Sequence, residues 1–138
     1  MEVIEASLAR LKLVVKSINK IVREEVIKEQ KFIEKLNRDQ LKRGTKASGE
    51  DLPDYVEDSD QPSAPGKITL FETGEFYEGI KPLFDETGFE NVGLDEKTGF
   101  LVAKYGDILG LTTENIALLS ARVLPRIQNR IRAALKVG

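Results

Sequence analysis

The residues of this chain best suited to chemistry are acids, arginines and aromatics. Leu70–Phe84, "LFETGEFYEGIKPLF", sets Glu72, Glu75 and Glu78 among Phe71, Phe76, Tyr77 and Phe84. Glu50 to Asp60 holds six acids and no base. Arg122, Arg126 and Arg130 recur at i, i+4, i+8, with Arg132 and Lys136 beside them, and from Ala121 onward there are five bases and no acid. Histidine and cysteine are both absent. That removes Ser/His/Asp and Cys/His catalysis, disulfides and thiolate metal sites, and leaves carboxylates, lysines and three tyrosines as acid–base groups.

None of these sets makes a convincing reaction centre. A glycosidase pair faces its partner across a cleft, whereas glutamates spaced by three on one helix share a wall. A calcium loop alternates its acids around a central Gly and closes on a Glu. Asp51, Asp54, Glu57, Asp58 and Asp60 do not follow that spacing. The chain is therefore expected to be no enzyme, with no catalytic or metal-ligating residue and no cofactor. The fifteen residues Leu70–Phe84 are better explained as a strand-to-helix corner: Thr73 caps, Gly74 turns, and the rings supply burial of roughly 1.5–3 kcal/mol each.

The elements that would carry these residues can be placed from periodicity. At 138 residues with a net charge of -2, one domain is expected, with no global attraction to nucleic acid or anionic membrane. Residues 1–42 are predicted to be a long helix. Ile4, Leu8, Leu11, Val15, Ile18 and Val22 recur at coiled-coil spacing, and no Gly or Pro occurs before Gly44. Glu25 and Glu29 take the next two slots of that seam, and Val26, Ile33 and Leu36 begin a second stripe. A continuous helix of this length would span ~60 Å, against a radius of gyration near ~14 Å for such a domain, so much of it would overhang. Either the seam packs on its own domain or part of it packs on another subunit.

Residues 43–66 are rich in Gly, Pro, Ser and Asp and read as an extended acidic arm. Residues 67–138 form the predicted α+β core. "KITLF" is a strand candidate, and a short helix carries Phe76, Tyr77, Ile80, Leu83 and Phe84. "FENVGL" and "FLVAKY" are expected to be two strands joined by a "DEKTG" hairpin loop. The last segment is a helix capped at Thr112 or Thr113, with Ile116, Leu119, Val123, Ile127, Ile131 and Leu135 on one face and Pro125 as a kink or break. The fold class is thus α+β: a long N-terminal helix, an extended acidic loop, a small antiparallel sheet with a short helix, and a C-terminal amphipathic helix. Met1-Glu2 opens no secretory leader, and no apolar run approaches the ~18–20 residues of a membrane span, so a cytosolic chain is the default expectation.

The corner also resembles a known pattern. "LFETGEFYEGI" is similar to the Leu-x-x-Thr-Gly-x-x-x-x-x-Ile signature of small phage virion-morphogenesis and tail-completion proteins. In "VAKYGDILGLTTENIALLSARVLPRI" the Tyr…Gly step, the Leu-Gly-Leu-Thr turn, the acid and the final helix follow in the same order. "LNRDQLKRGTKASGEDLPDY" resembles the helix end and Gly-x-x-x-x-Gly-x-x-Leu segment of such proteins from phages and prophages of Bacteroides-type bacteria. The sequence departs from the pattern at "YGDI", where an arginine-proline step is usual, and at Gly79.

The resemblance implies a virion structural protein, assembled in the host cytoplasm, that forms a ring at the head–tail junction or upper tail. Its partners would be copies of itself and portal, neck or tail subunits, with DNA passing its ridge without specific binding, and no membrane. On the residues themselves, subunit contacts are expected at Leu8, Leu11, Val15 and Ile18, at Asp51, Asp54, Glu57 and Asp58, and at Arg122, Arg126 and Arg130. A cytosolic adaptor using the long helix and a nucleic-acid binder using the basic final helix are the alternatives.

Overall fold

The computed structural model describes residues 2–53, 70, 74–86 and 88–137. Its elements in chain order are α1 (Glu2–Ile27), α2 (Gln30–Lys42), α3 (Glu75–Glu78), β1 (Ile80–Phe84), β2 (Phe89–Gly93), α4 (Thr98–Tyr105) and α5 (Thr113–Val137). The architecture is α+β, as the sequence predicts, with helices dominant and, among the described residues, one two-stranded antiparallel sheet. The "KITLF" strand and the Thr73 cap fall outside the described residues, apart from Leu70, as does most of the arm.

The N-terminal rod is two helices rather than one. At Glu29 the backbone N–H bonds the Val26 carbonyl at 2.9 Å, one residue short of the α-helical pattern, and Glu29 sits at φ -96, ψ 19. This turn falls where the apolar seam gives way to acids, and it re-aims the second stripe. Ile33 and Leu36 of α2 then enter the main core with Ile21 of α1, Leu111, and Leu119, Val123 and Ile127 of α5. α2 ends at Gly44, whose φ of 73 is the left-handed conformation glycine favours. Gly44 N–H bonds Leu41 O, and Thr45 N–H joins Arg43 N–H on Gln40 O, so these carbonyls at the helix end are satisfied.

Three expectations for the middle of the chain need correction. Ile80, Leu83 and Phe84 lie on a strand, not on the helix that carries Phe76 and Tyr77. β1 pairs with β2 from Ile80↔Gly93 to Phe84↔Phe89, and the hairpin turns at Asp85–Gly88 instead of at "DEKTG". Pro82 is compatible with this because a two-stranded ribbon leaves each strand one unpaired edge. "FENVGL" is a strand as expected. "FLVAKY" is helical: Asp95 starts a turn, its side chain accepting from Lys97 N–H and its carbonyl from Thr98 N–H, and α4 follows. Leu101 and Tyr105, one turn apart, then pack on a second core cluster of Leu41, Leu52, Leu70, Phe76, Tyr77, Ile80 and Ile108.

The final helix forms as expected. Thr112 Oγ1 accepts from Asn115 N–H at 3.1 Å as an N-cap, and Pro125 is accommodated inside α5 without ending it.

Candidate assembly interface

The most strongly organised polar region lies between α1 and α5. Arg126 donates to Glu25 at 2.9 Å and to Glu29 at 2.7 Å. Arg130 donates to Glu25 at 2.9 Å and to Glu24 at 3.0 Å, and Arg122 pairs with Glu29 at 2.5 Å. Later residues of α5 meet earlier residues of α1, so the two helices run antiparallel. Glu25 is only 1% exposed. Its bond from Lys28, then those from Arg130 and Arg126, outweigh its burial and hold its carboxyl at about 2, against an ordinary 4.5. The same contacts raise the arginines: Glu29 first and then Glu25 act on Arg126, and Glu24 and then Glu25 act on Arg130.

The arginine ridge, expected to face a neighbour, is therefore engaged by acids of its own chain. The physical reason is visible in the sequence afterwards. Glu25 and Glu29 are spaced i, i+4 in the seam slots, matching the i, i+4, i+8 arginines of α5. Arg122 also lies over the Phe32 ring, 4.5 Å from its centroid.

A second polar cluster was not anticipated. Asn37 donates to Ile108 O at 3.0 Å and accepts from Asn91 Nδ2 at 2.9 Å and Gly110 N–H at 2.8 Å. Gln40 donates to Gly110 O at 2.8 Å and accepts from Thr112 N–H at 2.8 Å and Asn115 Nδ2 at 2.5 Å. These two amides, one helical turn apart on α2, hold the "ILGLT" segment that feeds α5. The available signal was their position: Asn37 and Gln40 alternate with Leu36 and Leu41 on one α2 face. The loop after α2 is tied to the same end of the molecule, since Asp107 accepts from Ser48 N–H at 2.7 Å and its carbonyl from Ala47 N–H. Burial acts most strongly on the Asp107 carboxyl, raising it, but the Ser48 bonds and Lys46 together leave it lowered.

The first half of α1 is different. Leu135 near the end of α5 shares a gap with Ser17 and Ile18 of α1, also lined by Leu13 and Ile131. Since α5 ends at Val137, the α1 residues before about Leu13 have no described helix alongside; eleven residues at 1.5 Å each overhang by ~17 Å. On that overhang Ile4 is 62% exposed, Leu8 51% and Leu11 58%, with Val15 about half exposed behind them. Ile18 is half-buried at the mouth of the gap. The expected contact residues thus separate into groups. Leu8, Leu11 and Val15 present one exposed seam. Asp51 is exposed and bridged through its backbone to Thr45 in the loop after α2, far along the chain from the α1 seam. Asp54, Glu57 and Asp58 lie outside the described residues.

A groove opens where α1, α5 and the hairpin tip meet, with a volume of about 460 Å³. Its walls are Val22 and Val26 of α1, Ile116 and Leu124 of α5, and Phe84 and Phe89 of the hairpin. Glu75 and Glu78 are exposed on α3, and among the described residues no group of three or more His, Cys, Asp or Glu side chains is placed to hold a metal ion. No described helix is long and apolar enough to cross a membrane. Compared with known proteins, the chain matches no family model, no curated protein and no solved structure.

Proposed function

We propose that this chain is a structural subunit of a phage virion, a head–tail connector or tail-completion protein that assembles as a ring in the neck or upper tail. The observation that carries the assembly part of this reading is the α1 overhang. An aliphatic seam of coiled-coil spacing stands exposed on a helix end with no other described element beside it, while the other described elements gather around two buried clusters. Burying each such side chain against a partner is worth about 1.5–3 kcal/mol, so a surface of this kind favours association. The virion part rests on the order of the Thr-Gly corner, the Leu-Gly-Leu-Thr turn and the final helix.

The nucleic-acid reading is weakened, because the arginines it would use already pair with Glu24, Glu25 and Glu29. The test of assembly is mass photometry of the full chain from nanomolar to micromolar concentration, followed by light scattering at higher concentration. Closed oligomers of one size are expected. A particle that stays monomeric throughout would sink the reading. An adaptor would instead stay monomeric alone and form a defined complex with an unlike protein.

A further inference from the structure

Resting on that reading, we infer that the α1 overhang of one subunit seats in the α1–α5–hairpin groove of the next, so that the contact is head-to-tail between two different patches. Such a heterologous contact generates rings or open helices, whereas one patch meeting its own copy closes at a dimer. The overhang and the groove are complementary in shape and polarity. Ile4, Leu8 and Leu11 fall at i, i+4, i+7 on one face and project as knobs. The groove has room for several aliphatic side chains and is walled by Val22, Val26, Phe84, Phe89, Ile116 and Leu124. Its polar groups stand at the rim, as at protein interfaces, and do not converge on the floor as they would for a small polar ligand.

Charge fixes the direction. Glu5 and Lys12 flank the seam on the same side, two helical turns or ~10 Å apart. The groove carries Arg23 on its α1 wall and Glu86 on its hairpin wall, both exposed. A helix crossing from wall to wall sets Glu5 over Arg23 and Lys12 over Glu86. The reversed helix would bring like charges together at both rims. The knobs and the groove of one subunit lie at different levels of its own α1, residues 4–11 against 19–26, so neither fills the other within a chain.

The experiment is complementation between two full-length variants, each checked for folding by circular dichroism. Leu8→Asp spoils the knobs and keeps the groove; Leu124→Asp spoils the groove and keeps the knobs. Both positions are half exposed, so the fold is expected to survive. Each variant alone should be monomeric, and the mixture should form a 1:1 pair and nothing larger. Because the chain has no cysteine, Leu8→Cys mixed with Leu124→Cys should also cross-link, with little product from either alone. Lys12→Glu should weaken association about two- to fivefold, as rim ion pairs do, and Glu86→Lys should restore it.

Self-cross-linking of Leu8→Cys as efficient as in the mixture would show seam meeting seam and overturn the inference. Large wild-type assemblies without the mixed cross-link would overturn it too, while leaving the ring reading in place. A wild-type monomer at all concentrations would overturn both.

Discussion

The two halves of α1 invert the usual distribution of residue types. Residues 21–27 lie against α2 and α5, and there the helix buries Glu25 beside Ile21. Residues 3–12 lie past the described end of α5, and there the helix exposes Val3, Ile4, Leu8 and Leu11, with Leu13, Val14 and Val15 still exposed where α5 begins to run alongside. A lone molecule gains nothing from the exposed half, where aliphatics are hydrated, and at the other half it must dehydrate charges. The buried end is made tolerable by local pairing, since each acid there has an arginine within hydrogen-bond reach. The exposed end has no such local remedy. One helix thus serves two purposes, holding its own domain with one half and presenting an unsatisfied surface with the other.

Mutations should separate these halves. The largest effect on folding is expected at Ile33, fully buried where α2 meets α1 and α5. Ile33→Ala should cost about 2–5 kcal/mol in chemical denaturation, with no independent effect on association. Asn37→Ala should follow, since it leaves Gly110 N–H and the Asn91 amide without an acceptor and Ile108 O without a donor. The expected loss is about 1–3 kcal/mol, with faster amide exchange along 108–112. A milder loss or unchanged exchange at that segment would show that the amides do not hold it.

The acid cluster gives a pH-dependent version of the same contrast. Glu25 is depressed to about 2 in the folded chain, so its stabilising effect is present above about 4.5 and is lost as pH falls toward 2. Thermal unfolding should show that limb, and Glu25→Gln should flatten it and lower the melting temperature at neutral pH. Arg126→Glu should also lower the melting temperature, whereas reversal at exposed Arg132 should not. If charge reversal at Arg126 left the fold intact and abolished only association, the ridge would be an intersubunit device after all.

How much of this was legible in the sequence depends on how many partners each element needs. α5 could be placed from its own stripe and the Thr112 cap, because amphipathic period and capping are local properties. The overhang followed from length alone, although the turn at Glu29 shortened the rod. The fates of "IKPLF" and "FLVAKY" were not legible. Short apolar runs have no period long enough to distinguish strand from helix. What decided them was non-local: β1 found its partner in β2, and Asp95 began a helical turn immediately after β2. The tight corner at Gly79 belongs to the same class, since a Cβ there would come within 2.9 Å of Asp95 N, a contact no local pattern announces. The arginine ridge was visible, but its partner lay about a hundred residues earlier, in acids that had registered only as interruptions of a seam. The amide pair Asn37 and Gln40 carried no expectation, because a polar residue among leucines declares a buried bond only once its partner is known.

The smallest expected effect on folding is the most informative about the other half of α1. Leu8→Ser removes an exposed aliphatic from the half of α1 that has no described element beside it, so the chemical stability of the monomer should change by no more than about 0.5 kcal/mol. Its effect on association should be far larger. A side chain at the centre of an interface typically costs more than 1 kcal/mol when truncated, so the assembly midpoint should rise by about tenfold. The matching change at Val3, nearer the helix start and off the Ile4–Leu8–Leu11 face, should move neither quantity by much. A Leu8→Ser chain that unfolds more easily, while associating as before, would mean that the first half of α1 is covered by its own domain in solution, and the distinction between the two halves would disappear.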